Sequence, residues 1–253
     1  DIRDADKLPP IFNGAQGVFH TAAQARMQYS IREPKLTNDI NITGTLNVLL
    51  AARDAGVKRV IYSASSSAYG HKNILPLTED MHSDPIIPYA IQKRVGEQYC
   101  GMAARFYGLE TVALRYFNVY GPRQTMASDG PYATVIGIFL EQRQKGEPLS
   151  IVPDGTQKRD FTHVKDVARA NLLAMESDRV GKGEIINIGT GKNHSILEVA
   201  EMIGGPWKFI DSRQGEVQAT LADNIRARDL LGWEPEVSFD AGIADLKKLH
   251  RLV

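Results

Sequence analysis

Between residues 17 and 117 short apolar runs alternate with longer stretches at helical spacing, and that alternation leaves few folds open to the chain. Gly17-Val-Phe-His20 has strand length and ends in the small residues Thr21-Ala-Ala23, where backbone can approach a ligand closely. Residues 36–55 are apolar at helical spacing and stop at Gly56, a residue suited to a C-terminal cap. Residues 57–63 read as a buried strand around Val60-Ile61-Tyr62. Pro88 suits the first turn of a helix running to about residue 107, and residues 111–117 form the next strand. Strands separated by helices with short connections predict an α/β protein with a doubly wound parallel sheet.

After Gly121-Pro122 the pattern is less regular. Residues 133–145 read as a helix, 149–152 as a strand and Asp154-Gly155 as a turn. Strands at 161–164 and 184–188 flank a helix over 164–177, and Ser195-Ile-Leu-Glu198 is a capping-box pattern opening another helix. From about Trp207 a strand and two helices follow. The expected organisation is a dinucleotide-binding domain over 1–122 plus about 156–175. A smaller mixed α/β substrate lobe would take 123–155 and 176–253, leaving a cleft between the two.

The 30 Lys and Arg residues balance 30 Asp and Glu, so no net field recruits nucleic acid or an anionic membrane. The single cysteine, Cys100, rules out an intramolecular disulfide and a cysteine-rich zinc site. No apolar run approaches the roughly 20 residues needed to span a bilayer, and no signal-peptide pattern opens the chain, so a cytoplasmic address is expected. Glu79, Asp80 and Asp84 lack metal-ligand spacing and read as a solvated face, so no metal is expected.

Chemistry is concentrated in two motifs. Tyr89 and Lys93, in Tyr-Ala-Ile-Gln-Lys, stand one helical turn apart and share a face. A phenol, with an ordinary pKa of about 10, is a poor base at neutral pH unless a cation favours the phenolate. The serine cluster Ser63-Ala-Ser-Ser-Ser-Ala-Tyr-Gly70 at a strand end can hold the reacting oxygen. The set reads as proton removal from an alcohol, which requires a hydride acceptor, and a nicotinamide dinucleotide is the expected one. His20 and His163 sit in apolar strands and read as hydrogen-bonding rather than catalytic.

These segments resemble the extended short-chain dehydrogenases, specifically the NAD-dependent nucleotide-sugar epimerases and dehydratases of the UDP-glucose 4-epimerase type. The resemblance runs along nearly the whole chain. In order come Val18-Phe-His-Thr-Ala-Ala23, Asn41-Ile-Thr-Gly-Thr45, the serine cluster, the Tyr-Lys pair and Leu114-Arg-Tyr-Phe-Asn-Val-Tyr-Gly-Pro122. Arg159-Asp-Phe161, Asn187-Ile-Gly-Thr-Gly191 and Arg213-Gln-Gly-Glu216 follow. A lone Tyr-x-x-x-Lys is weak, but eight ordered matches are specific.

The resemblance implies NAD as cofactor, a UDP-sugar as substrate and a homodimer built on the helices at 36–55 and 88–107. It implies Tyr89 as general base, Lys93 lowering its pKa and holding the nicotinamide ribose, and Ser65 bonding the reacting hydroxyl. Asp1 and Ile2 match the adenine side; Ala22, Ala23, Gln24, Asn41, Ser63 and Tyr116 match other cofactor contacts. Asn118, Arg159 and Arg213 match positions around the diphosphate, Glu216 one near the uridine ribose, and Thr220 one beside the sugar C2 substituent. The implied reaction is 4-epimerisation of UDP-glucose or UDP-galactose, and of N-acetylhexosamines, through a 4-keto sugar.

The family's Gly-x-x-Gly-x-x-Gly turn is not in this sequence, since Gly14-Ala-Gln-Gly17 precedes a strand rather than a helix. The chain therefore reads as a fragment lacking about two βα units, on the order of 60 residues, and inactive by itself. A dehydratase would need an acidic pair where Ser66 and Ser67 stand. A UDP-uronate 4-epimerase, a decarboxylase or a reductase remain within the family, and a non-catalytic dinucleotide-binding regulator outside its chemistry.

Overall fold

A computed structural model describes residues 1–129, 133–211 and 217–252. A short 3-10 turn leads into α1 (Leu8–Phe12), and β1 (Gly17–His20) follows. Next come α2 (Met27–Arg32) and α3 (Pro34–Asn38), which passes through a π-helical turn, Asp39–Thr43, into α4 (Gly44–Asp54). β2 (Arg59–Ser65), α5 (Pro88–Tyr107), β3 (Glu110–Tyr116) and β4 (Val119–Tyr120) complete the first half. The second half holds α6 (Val135–Gln144), β5 (Leu149–Ile151), β6 (Lys158–Asp160), β7 (Thr162–His163), α7 (Val164–Glu176) and β8 (Lys182–Ile188). β9 (Asn193–Ser195), α8 (Ile196–Ile203), β10 (Trp207–Phe209), α9 (Ile225–Leu231) and α10 (Phe239–Leu249) end it.

The main sheet is parallel, in the order β1-β2-β3-β8. Alternation along β2 sends its side chains to two apolar layers. Val60, Tyr62 and Ala64 pack with Leu49, Ala52 and Cys100. Ile61 faces the other way, with Val167, Ala170, Ile186 and Trp233. Helices therefore cover both faces, as the doubly wound expectation requires. Lys182–Ile188 corrects the expected partition: the sequence reading gave these residues to the smaller lobe, but they hydrogen-bond to β3 in the main sheet. A separate apolar cluster, including Phe139, Leu149, Ile203 and Ile243, lies among α6, β5, α8 and α10.

Two polar anchors fix the sheet against its helices. The buried Arg59 guanidinium donates to the carbonyls of Ala174, Met175, Ser177 and Val180, and so binds β2 to the end of α7. Arg115 on β3 forms a two-pronged pair with Glu97 on α5, at 2.7 and 2.8 Å. A fork of this geometry sets direction as well as distance. At Gly96 an added Cβ would lie 2.2 Å from the Tyr62 hydroxyl, so glycine is what lets α5 lie directly on β2.

Candidate active site

Register brings the candidate residues to one end of the sheet. Ser63 is paired with Leu114 and Ser65 with Tyr116, so both serines and the tyrosine stand at the carboxyl ends of β2 and β3. Ligands of open α/β sheets bind outside these ends. A cavity of about 810 Å³ opens there. Ser65, Tyr89, Tyr116, Asn118, Arg159 and Thr220 all line it.

Ser65 caps the 3-10 turn Ser66–Tyr69, its Oγ accepting from Ser67 N at 3.2 Å and Ser67 Oγ at 2.9 Å. Its own O–H therefore remains a donor for an oxygen in the cavity. Tyr89 is the second residue of α5, at the positive end of the helix dipole, where negative charge is favoured. The α5 N-cap, Ile87, offers no side-chain acceptor; Ser30 on α2 supplies one instead, its Oγ accepting from Tyr89 N at 3.1 Å. Burial pushes the Tyr89 phenol above its ordinary pKa, and the Ser65 hydroxyl and the Arg26 charge act against that rise.

Lys93 lies one turn deeper and is buried. Its Nζ donates to Ser63 O at 2.7 Å and stands 4.8 Å from the Tyr62 ring centroid. Desolvation brings its pKa down to about 8.

The expected cofactor residues lie around this core. Asn41 is buried and its carboxamide is engaged by Gln24 N at 2.7 Å, Gln24 O at 2.9 Å and Gln92 at 2.8 Å. It shapes the loop after β1, which carries Ala22, Ala23 and Gln24. Ser63 Oγ meets the Tyr116 hydroxyl at 3.2 Å, and that hydroxyl donates to Asn171 at 3.0 Å. Asp1 pairs with Arg3, and Ile2 O accepts from Asn47. His20 bonds Thr45 at 2.9 Å, and desolvation lowers its pKa to about 3, so it stays neutral.

On the substrate side, Asn118 adopts a φ of +33° and donates to Asp160 O and to Thr220 Oγ1. Thr220 Oγ1 also accepts from Asp160 N, at 3.2 Å, and so keeps its own O–H to give. The buried Asp160 carboxylate accepts from Thr190, Gly191 and Ala222 and gathers these loops around the site. Arg159 Nη1 donates to Lys158 O and lines the cavity. Arg213 and Glu216 fall outside the described residues. Glu79 and Asp80 face Arg226 rather than each other's charge alone. Among the described residues no group of His, Cys, Asp and Glu is arranged to hold a metal, and no helix is long and apolar enough to cross a membrane.

Residues 1–189 match the model of the NAD dependent epimerase/dehydratase family. The chain belongs to that family. It is 39% identical to a putative UDP-glucose 4-epimerase of Methanocaldococcus jannaschii, over 96% of this chain and 80% of that protein. It is 36% identical to a UDP-glucuronate 4-epimerase of Thermodesulfobacterium geofontis, over 96% of this chain and 75% of that one. The structure of a UDP-N-acetylglucosamine 4-epimerase from Methanobrevibacter ruminantium, in complex with UDP-N-acetylmuramic acid, superposes with a TM-score of 0.92 at 37% identity. That likeness covers 100% of this chain and 82% of the other.

NAD is the cofactor of this epimerase/dehydratase family, and the donor set fits it. The buried Lys93 ammonium has three donors and, among the described residues, one hydrogen-bond acceptor, Ser63 O. Two donors are left for the hydroxyls of a ribose. Small side chains at Ala22 and Ala23 leave the backbone after β1 open to close approach.

Proposed function

We propose that the protein inverts C4 of a UDP-hexose, using Tyr89 as general base and Ser65 as donor to the reacting oxygen. The observation that carries this reading is the meeting of Ser65 and Tyr89 in one cavity, with the Ser65 hydroxyl lowering the pKa of the phenol beside it. Bound NAD would supply the acceptor, and then the donor, of the C4 hydride. Ionised Tyr89 takes the proton of the C4 hydroxyl and later returns it to the C4 oxygen, once the keto sugar has turned its other face for reduction. Lys93 holds the nicotinamide ribose, while Ala22, Ala23, Gln24, Asn41, Ser63 and Tyr116, with Asp1 and Ile2 on the adenine side, form the cofactor wall.

Asn118 and Arg159, with Arg213, would grip the diphosphate, and Glu216 the uridine ribose. A firm hold on the nucleotide and a loose one on the sugar permits the 4-keto sugar to turn over in the cleft. Thr220 leaves room beside the sugar C2 that a tyrosine would fill, and its free O–H can serve an N-acetyl carbonyl. UDP-N-acetylhexosamines are therefore substrates alongside UDP-glucose and UDP-galactose in this reading. A UDP-uronate is the second reading, because Arg26 lines the same cavity and could meet a C6 carboxylate. Turnover of UDP-glucose, UDP-N-acetylglucosamine and UDP-glucuronate by the full-length protein separates the two; inversion of none of them removes both.

The protein is proposed to act as a homodimer through the helices spanning 34–54 and 88–107. Leu36 and Ile91 remain exposed on these helices, and an apolar surface of this kind asks for a partner. Sedimentation as a monomer at micromolar concentration would contradict it.

A further inference from the structure

We propose that Gln92 is a positioning residue, holding the loop after β1 at a fixed place on the helix that carries Tyr89 and Lys93. This rests on the reading of that loop as a wall of the NAD site and adds a residue to it.

Residues 21–26, between β1 and α2, belong to no helix or strand, so no ladder sets their course. The Asn41 side chain grips both backbone groups of Gln24. Its Oδ1 accepts from Gln24 N at 2.7 Å, and its Nδ2 donates to Gln24 O at 2.9 Å. Asn41 is the middle residue of the π turn Asp39–Thr43, and single π turns inside α-helices occur frequently at functional sites. Its second amide hydrogen goes to Gln92 Oε1 at 2.8 Å. Gln92 lies on α5 between Tyr89 and Lys93 in the chain, and its Nε2 donates to Thr37 Oγ1 at 2.9 Å. Thr37 gives its own hydrogen to Pro34 O at 3.2 Å.

The bonds run one way, from Gln24 N through Asn41, Gln92 and Thr37 to Pro34 O. Each carboxamide has one orientation that satisfies both its neighbours, so neither can flip. Thr37, Asn41 and Gln92 are 0, 1 and 3% exposed. At that burial a hydrogen bond is stronger than in water, and an unmade one costs most. Thr21 and Ala22 are exposed. A directed, buried chain thus leads from the open loop to the helix of the base.

Other anchors of α5 serve other elements. Lys93 Nζ bonds Ser63 O on β2, and Tyr89 N bonds Ser30 on α2. They seat the helix on the sheet and on α2; Gln92 seats the loop on the helix. Hydride transfer asks that cofactor and base be set within about 0.5 Å of the productive geometry. Through Gln92 one wall of the cofactor site takes its position from α5.

The test compares Gln92→Met, Thr37→Val and the double variant in the full-length protein. Each is titrated calorimetrically, free of cofactor, with NAD and with UDP, and is unfolded in urea. Gln92→Met keeps the length of the side chain and removes its bonds. Its NAD affinity is expected to fall about tenfold, with UDP affinity within about twofold of wild type. Thr37→Val is expected to lose stability yet keep NAD affinity within about twofold, since the Gln92–Asn41 bond survives. The double variant should regain stability over Gln92→Met, because no Thr37 hydroxyl is left without its donor, and still show the NAD loss. A role in packing alone would make affinity follow stability. NAD affinity unchanged in Gln92→Met overturns the proposal, and so does affinity that tracks stability across the three variants or an equal loss of NAD and UDP. Wild-type protein that binds UDP but not NAD would instead remove the reading of the loop as a cofactor wall, and this proposal with it. Should Gln92→Met not fold, the double variant carries the comparison.

Discussion

Ser63, Ser65, Tyr89 and Lys93 stand on β2 and α5, whereas Arg159 and Thr220 stand on a three-residue strand and an irregular segment. β2 has seven residues, six of them buried, and α5 has twenty. The first region is braced by the Arg115–Glu97 fork and by the Gly96–Tyr62 contact. The second is held by β6 pairing with β9, by an isolated bridge at Lys158 and Ala219, and by the hydrogen bonds of Asp160. Groups that must meet a reacting atom within a fraction of an ångström are fixed by packed elements. The groups proposed to choose the substrate lie where exchange of one side chain disturbs little else. Damage to the first region should abolish reaction; damage to the second should redirect it.

The largest effect is expected from Tyr89→Phe. Turnover should fall by about 10² to 10⁴, equivalent to about 3–5 kcal/mol, with UDP-sugar affinity nearly unchanged. Steady-state kinetics beside calorimetry decide this, and more than a tenth of wild-type turnover would break the comparison on its first side.

Gly96→Ala tests the bracing. The added methyl meets the Tyr62 hydroxyl at 2.2 Å, so α5 must move away from β2. Overpacking of this kind costs about 1–3 kcal/mol, readable in urea denaturation. Turnover should fall as well, because Tyr89 and Lys93 ride on the displaced helix. Unchanged stability would mean that the contact is not what seats α5.

Thr220→Tyr tests the second region. kcat/KM for UDP-N-acetylglucosamine should drop about 10- to 200-fold while that for UDP-glucose stays within about threefold. Equal losses on both substrates would place Thr220 with the structural residues, not with the selecting ones.

The smallest effect is a titration. Lys93 should lose its proton near pH 8 in the cofactor-free protein rather than near the ordinary 10.5, as nitrogen NMR of the side chain can follow. Because the folded value is the lower one, burial of the charge opposes folding most below pH 8, and that opposition fades toward the unfolded value. Lys93→Met should therefore gain stability at neutral pH even as it loses activity. A normal titration would show the ammonium to be solvated.

The first region was the more legible in sequence, for the same reason that it is the more rigid. Pro88–Tyr107 matches its expected helix at both ends because a proline start and helical spacing agree. The capping box at Ser195 and Glu198 forms as its pattern implied. Elsewhere local pattern was silent. Nothing in periodicity reveals that the helix expected over 36–55 starts at Pro34 and contains a π turn. Residues 182–188 were assigned to the wrong body because sheet neighbours are set by pairing across long separations, not by order in the chain. Ser30, Arg26 and Asp160 acquired their places only through contacts made by α2 and by loops, which carry no period to read. Arg213 and Glu216, both named from sequence, fall outside the described residues.

The most direct measurement follows a deuterium at C4 of UDP-glucose through one passage over the full-length protein with NAD. Inversion at C4 with the deuterium kept on the same carbon is expected, since in the proposed reaction Tyr89 handles only the hydroxyl proton and the hydride returns to the carbon it left. Loss of the deuterium to solvent, or its retention without any inversion of UDP-glucose, UDP-N-acetylglucosamine or UDP-glucuronate, would contradict 4-epimerisation by this site.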